Sequence, residues 1–326
     1  MATTRTADRA RRAATPASRP KPTPAGDTAR VPGRAVEPVA AGHVTSADGV
    51  RIFYEVFGVG EPPIVFLPSA PIVHSRQWKG QVPDFSRRHR VITYDGRGNG
   101  RSDRPATPEA FTDDRFVGDL GAVLDGTSTE RAVLVGLCVD GVWRAIRFAA
   151  DQPERVLGIV AFAVGVPRLT PPHPHYVAAA ATFDEDLPAF EGWQKMNRHH
   201  WRRDYRDWLT FFFGEITSEP HSTKVIDDAV DFALDGSVDS MLADAEARFS
   251  LDREAVEAIC RSLTCPMLLV HGTDDTCQPL ARAERLSELT GAPLVVVEGA
   301  DHMIPARHPI KANLLIRGFV DSLAGG

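Results

Sequence analysis

The chain has 326 residues, 43% hydrophobic and 25% charged, a composition that suits a globular core and excludes a fibrous repeat or a wholly disordered protein. Lys and Arg number 37 against 43 Asp and Glu, a net charge of −6, so the basic excess that a nucleic-acid or anionic-membrane surface requires is missing and small molecules are the expected partners. Four cysteines without a C-x-x-C pair, no apolar run of transmembrane length and no apolar leader predict a cytoplasmic protein without a disulfide framework, metal or cofactor.

Residues 1–40 are rich in Ala, Pro, Thr and Arg and lack apolar periodicity, which predicts a disordered tail. His43 to Ser46 and Arg51 to Phe57 flank Asp48-Gly49, a dipeptide that favours a hairpin turn. Short apolar runs follow at Ile64 to Leu67, Val91 to Tyr94, Ala132 to Leu137, Val156 to Val164, Met267 to Val270 and Leu294 to Val297, as expected of strands buried on both faces. Helical stretches at Asp113 to Leu124, Val142 to Ala150, Leu280 to Leu289 and Pro309 to Leu323 alternate with them. The expected fold is α/β, a mostly parallel central sheet covered by helices, over residues 41–165 and 261–326.

The alternation stops over residues 166–260, predicting a helical cap insertion. Within it Trp193, Asn197, Trp201, Tyr205, Trp208 and Phe212 recur at spacings of three or four, the mark of one helix face packing the cap onto the sheet. Trp201, Tyr205 and Trp208 are the rings expected to line a substrate cleft as well. Asn197 to Arg203 is locally basic, which reads as a solvated face or, alternatively, as a seat for an anionic carrier- or coenzyme-A-bound group. His173, His175, His199, His200 and His221 show no metal spacing.

Val133-Leu134-Val135-Gly136-Leu137-Cys138-Val139-Asp140-Gly141, a strand passing through a tight turn into a helix, resembles the nucleophile elbow of the α/β-hydrolase fold with Cys138 where serine usually stands. The tight turn wants small residues two positions before and after the nucleophile; Gly136 meets the first requirement and Asp140 departs from the second. Taking Asp140 as nucleophile would put Val142 at the crowded position, so Cys138 is preferred. A buried inert thiol is the competing reading. Asp140 itself reads as a helix-start carboxylate or as a charge facing the cleft.

Three further segments fit the same resemblance in chain order. Pro62 to Pro71 stands where the family has a strand ending in His-Gly; Pro68-Ser69 replace that pair, and the backbone N–H groups of Ala70 and Val139 are the implied oxyanion hole. Asp95-Gly96-Arg97-Gly98-Asn99-Gly100-Arg101-Ser102 is similar to the family's Asp-x-Arg-Gly-x-Gly-x-Ser loop and is expected to be structural, since its glycines do not make the dinucleotide spacing and Pro105 impedes a following helix. His271-Gly272-Thr273-Asp274-Asp275 and Asp301-His302 resemble the late acid and base segments, implying Asp275 as acid and His302 as base, with Asp274, His271 and His308 structural. The resemblance implies a Cys138-His302-Asp275 enzyme that cleaves an ester, thioester or related acyl bond through an acyl-thioester. Acyl transfer or cyclisation, and a non-catalytic binding protein on the same scaffold, remain alternatives.

Overall fold

The computed structural model describes residues 35–220, 222–247 and 249–323; most of the predicted tail, residues 1–34, lies outside them. Strand β1 (Ala40–Thr45) pairs antiparallel with β2 (Arg51–Phe57), and Gly49 turns between them at φ +88°. The strand starts three residues earlier than the sequence suggests. Val39 already donates to the Val56 carbonyl at 2.8 Å, so the tail does not run to residue 40. Strands β3 (Ile64–Phe66), β4 (Val91–Tyr94), β5 (Ala132–Leu137), β6 (Val156–Phe162), β7 (Met267–Gly272) and β8 (Leu294–Val297) complete one sheet in the order β1-β2-β4-β3-β5-β6-β7-β8. Only β1 with β2 and β2 with β4 pair antiparallel.

Apolar runs become central strands because each side of the sheet has its own core to fill. Ile64, Phe66, Val133 and Val135 point into one core, and Val65, Leu67 and Leu134 into the other. The first is closed by Trp78, by α1 (Val82–Phe85), by α11 (Ile304–Arg307) and by Ile316 and Val320 of α12 (Pro309–Leu323). The second is closed by Leu120 and Val123 of α2 (Asp113–Gly126), Val142 and Ile146 of α3 (Cys138–Asp151), and Leu286 of α10 (Leu280–Thr290). Strand β6 stops at Phe162, short of the predicted Val164, where Ala163 takes φ +46° and leaves extended geometry.

Between β6 and β7 run six helices: α4 (Pro174–Ala181), α5 (Arg198–Arg203), α6 (Tyr205–Ile216), α7 (Lys224–Leu234), α8 (Val238–Glu246) and α9 (Arg253–Arg261). The aromatic stripe is not one helix face. It is split among a 3-10 turn at Gly192–Lys195, α5 and α6. Asn197, expected within the stripe, caps α5 by accepting from the His199 and His200 N–H groups, and Asp204 caps α6 by accepting from Asp207 N–H. Such side chains compete with a continuing helix for backbone donors and so break it. Among the described residues, no helix is long and apolar enough to cross a membrane.

The glycine loop after β4 is a structural clamp. Arg97 is fully buried and pairs with Asp119 on α2 through Nε (2.8 Å) and Nη2 (2.7 Å), and with Asp48 of the hairpin turn through Nη1 at 2.8 Å. Asn99 donates to the Pro71 and Ile72 carbonyls at 2.9 and 2.8 Å, which fixes the segment after β3.

Candidate active site

The loops after β3, β5, β7 and β8 gather at the carboxyl ends of parallel strands, where an open α/β sheet leaves room for a ligand. Cys138 is the first residue of α3 and takes φ +61°, a left-handed conformation costly for a residue with a side chain and seldom kept without a reason. Glycines make that turn possible. A Cβ on Gly136 would meet the Gly141 carbonyl carbon at 2.5 Å, and one on Gly165 would meet the Cys138 carbonyl carbon at 2.8 Å. The crowded position after the nucleophile candidate is therefore Gly141, three residues on, and Asp140 fits because its carboxylate turns aside to Arg144 at 3.1 Å.

Ala70, the other implied oxyanion residue, is buried; its carbonyl accepts from Arg144 Nη1 at 2.7 Å, a cis bond joins it to Pro71, and Gly96 packs against its methyl group. The elbow helix thus holds both backbone segments that the resemblance assigns to an oxyanion hole.

Asp275 and His302 come together across 27 residues of chain. His302 Nδ1 lies 2.9 and 3.0 Å from the two carboxylate oxygens of Asp275, and Cys277 and Gln278 N–H groups each donate to Asp275 Oδ1 at 2.8 Å. Burial would raise the Asp275 carboxyl, but His302 and these hydrogen bonds outweigh it and leave it below the usual carboxylate range. Burial likewise opposes a charged imidazole at His302, yet Asp275 and Cys277 beside it hold its pKa well above the ordinary histidine value. Asp274 is exposed and accepts from the Thr273 hydroxyl. His271 Nδ1 accepts from Val164 N–H at 3.0 Å while its Nε2 faces the Gln278 carbonyl at 2.9 Å, and His308 pairs with Glu219 at 2.8 Å.

The residue that sequence reasoning missed is Cys277. Its sulfur, the Cys138 sulfur and a ring nitrogen of His302 all lie within 4.8 Å of one another. A second thiol therefore stands beside the imidazole that the sequence assigns to Cys138. The hydrogen bond to Cys277, then burial, then the charge of Asp140 hold the Cys138 thiol well above its ordinary pKa. The Cys138 hydrogen bond and His302 hold Cys277 well below it, against the effect of burial. The two sulfurs behave as a pair sharing one proton, and the charged imidazole beside them stabilises the negative charge on the pair. Tyr176 on α4 donates its hydroxyl to the Cys277 sulfur at 3.4 Å. Gln278 Nε2 donates to both sulfurs at 3.5 Å, and buried Arg282 donates to Gln278 Oε1, polarising that amide. The signal was present in the sequence: Cys277 sits two residues after the predicted acid, on the loop that carries it.

Asp140 sits in the first turn of α3, and its charge is among the causes that raise the Cys138 thiol. Asp244 of α8 is pushed up to about 8 by burial and then by Asp140, so the cap closes over this carboxylate.

Trp201 and Trp208 are buried in the core between cap and sheet and stack at 5.6 Å; Tyr205 packs edge-on to Trp201. Ring contacts run from them through Trp193 to Tyr176, whose hydroxyl is the group that meets the thiols. The basic residues of α5 are matched by acids: Arg202 with Asp239 at 2.9 Å, Arg203 with Asp186 at 2.6 Å, and Arg198 with Asp184 and Glu246.

A mostly parallel sheet with a strained residue after β5, an acid after β7 and a histidine after β8 defines the α/β-hydrolase class. The family model for the alpha/beta hydrolase fold matches residues 62–309, and the chain belongs to that family. It is 28% identical to a non-heme chloroperoxidase from Streptomyces lividans, over 86% of this chain and 100% of that protein. It is 24% identical to a bifunctional esterase/perhydrolase from Acinetobacter calcoaceticus, again over 86% and 100%. The crystal structure of a bromoperoxidase from Bacillus anthracis superposes with a TM-score of 0.71 at 23% identity, covering 86% of this chain and 100% of that one.

Proposed function

We propose that this chain hydrolyses an ester or thioester by nucleophilic catalysis at Cys138. The observation that carries the reading is the left-handed Cys138 at the strand-to-helix turn, its sulfur lying within 4.8 Å of an imidazole bound to a buried carboxylate. In the resting site the two sulfurs share one proton, and the His302 imidazolium stabilises the negative charge on the pair. Cys138 gives that proton to Cys277 as its sulfur attacks the carbonyl. The N–H groups of Val139 and Ala70 stabilise the oxyanion, and His302 protonates the leaving group, with Asp275 holding the ring. Water, deprotonated by the now neutral imidazole, then releases the acid from the thioester. The reading takes a simple acyl substrate, because the α5 arginines already have acidic partners.

The test is intact mass after mixing the reduced protein with an activated aryl ester. The expected result is one acyl group, absent in Cys138→Ala, gained more slowly in Cys277→Ala, and lost in water alone. Acylation of Cys138→Ala at the rate of the unaltered chain would overturn the assignment, as would no acylation at any pH.

A further inference from the structure

We propose that Cys138, Cys277 and His302 form a three-ligand site for a thiophilic divalent cation of the Zn2+ and Cd2+ class. This departs from the expectation of no metal, which rested on sequence spacing: the two cysteines are 139 residues apart, and only the convergence of the β5 and β7 loops brings them together.

Four observations support the site. The donor set is two sulfurs and one imidazole, which selects borderline and soft cations over Mg2+ or Ca2+. The three donor atoms lie within 4.8 Å of one another. Around a tetrahedral zinc, with Zn–S near 2.3 Å and Zn–N near 2.0 Å, such atoms stand roughly 3.5 to 3.8 Å apart, so closing the site needs a contraction of about 1.3 Å at most. The supporting shell is already built. His302 Nδ1 is taken by Asp275, which leaves Nε2 for a metal in a carboxylate–histidine–metal arrangement, while Gln278 donates to both sulfurs and Tyr176 to one. Charge also closes: two thiolates and Asp275 are balanced by a divalent cation and the Arg282 guanidinium, and Asp140 has Arg144. Cys138 is partly exposed whereas Cys277 and His302 are buried, so solvent can reach the three-ligand set from the Cys138 side and supply a fourth ligand.

Occupancy ties up the lone pair of the Cys138 sulfur, so the cation and an acyl group compete for it. The inference needs the cluster only and not the acyl chemistry, and its readout is independent of activity. The reduced full-length chain, stripped with a chelator, is titrated with Zn2+ by calorimetry and with Co2+ by absorption. One equivalent bound with proton release, the ligand-field spectrum of tetrahedral cobalt and a thiolate-to-cobalt charge-transfer band are expected. Cys277→Ser and His302→Ala should each abolish the tight phase, Asp275→Asn should weaken it about 10- to 100-fold, and Cys265→Ser should leave it unchanged. The proposal is overturned by the absence of stoichiometric binding, by an octahedral cobalt spectrum, or by tight binding that survives Cys277→Ser. Loss of acylation in Cys138→Ala bears on the hydrolase reading alone.

Discussion

Gly165→Ala tests how tightly the elbow is held. The added Cβ would stand 2.8 Å from both the Cys138 carbonyl carbon and Val139 Cγ2, and closer still to Val139 N. Non-bonded carbons rest about 3.5 to 4.0 Å apart, so the elbow must back away by roughly 1 Å. That displacement falls on the Val139 N–H, which is proposed to meet the oxyanion. An oxyanion donor acts at about 2.7 to 3.1 Å and its loss costs about 10² to 10³-fold in rate, whereas overpacking of this kind costs about 1 to 3 kcal/mol of stability. Single-turnover acylation by an activated aryl ester should therefore fall by about two orders of magnitude in a protein whose circular dichroism and cooperative melting show it folded. Gly214→Ala on α6 is the control. Nothing lies within 4 Å of its Cβ position, so it should gain about 0.5 to 1 kcal/mol with acylation unchanged. Folded Gly165→Ala acylating at the unaltered rate would refute the reasoning.

Three other predictions concern charge. Asp119→Ala leaves the fully buried Arg97 without its bidentate partner and should cost about 3 to 5 kcal/mol, read from urea unfolding; a midpoint equal to that of the unaltered chain would show the clamp to be dispensable. Since His302 is held well above its ordinary pKa by Asp275 and Cys277, its imidazolium persists above the pH at which a free histidine loses its proton. Acylation should then stay level through about pH 6.5, where a free imidazole base would begin to act. The stability this shift contributes is fully present below about 6.5 and is lost as the pH rises from there through the raised value. An acylation rate climbing steeply through neutrality would contradict the thiolate–imidazolium pair. Asp140→Asn removes a charge that raises Cys138, so the pH profile of alkylation should move to lower pH, and an unmoved profile would show that the carboxylate serves the helix alone.

The central strands were legible because both faces are buried: the runs at Val91–Tyr94 and Ala132–Leu137 have the bounds their apolar residues suggest. The positions of Cys138, Asp275 and His302 were legible because local turn chemistry and order along the chain both constrain them. The cap was less so, since periodicity alone gave a single helix where Asn197 and Asp204 use their side chains to end one and start another. Cys277 and Asp48 were missed for a common reason. Each was read for its local setting, Cys277 as one thiol among four and Asp48 as a turn residue, while its partner is set by the packing of distant loops.

The Asp48 contact gives the first hairpin a second duty. One guanidinium joins that edge turn to α2, and Asn99, two residues further along the same loop, grips the backbone just beyond Ala70. A shortened chain that begins beyond residue 50 would thus lose more than an outer strand: it would release one anchor of the loop that grips the backbone just beyond Ala70, and harm at the centre would follow from a cut at the rim.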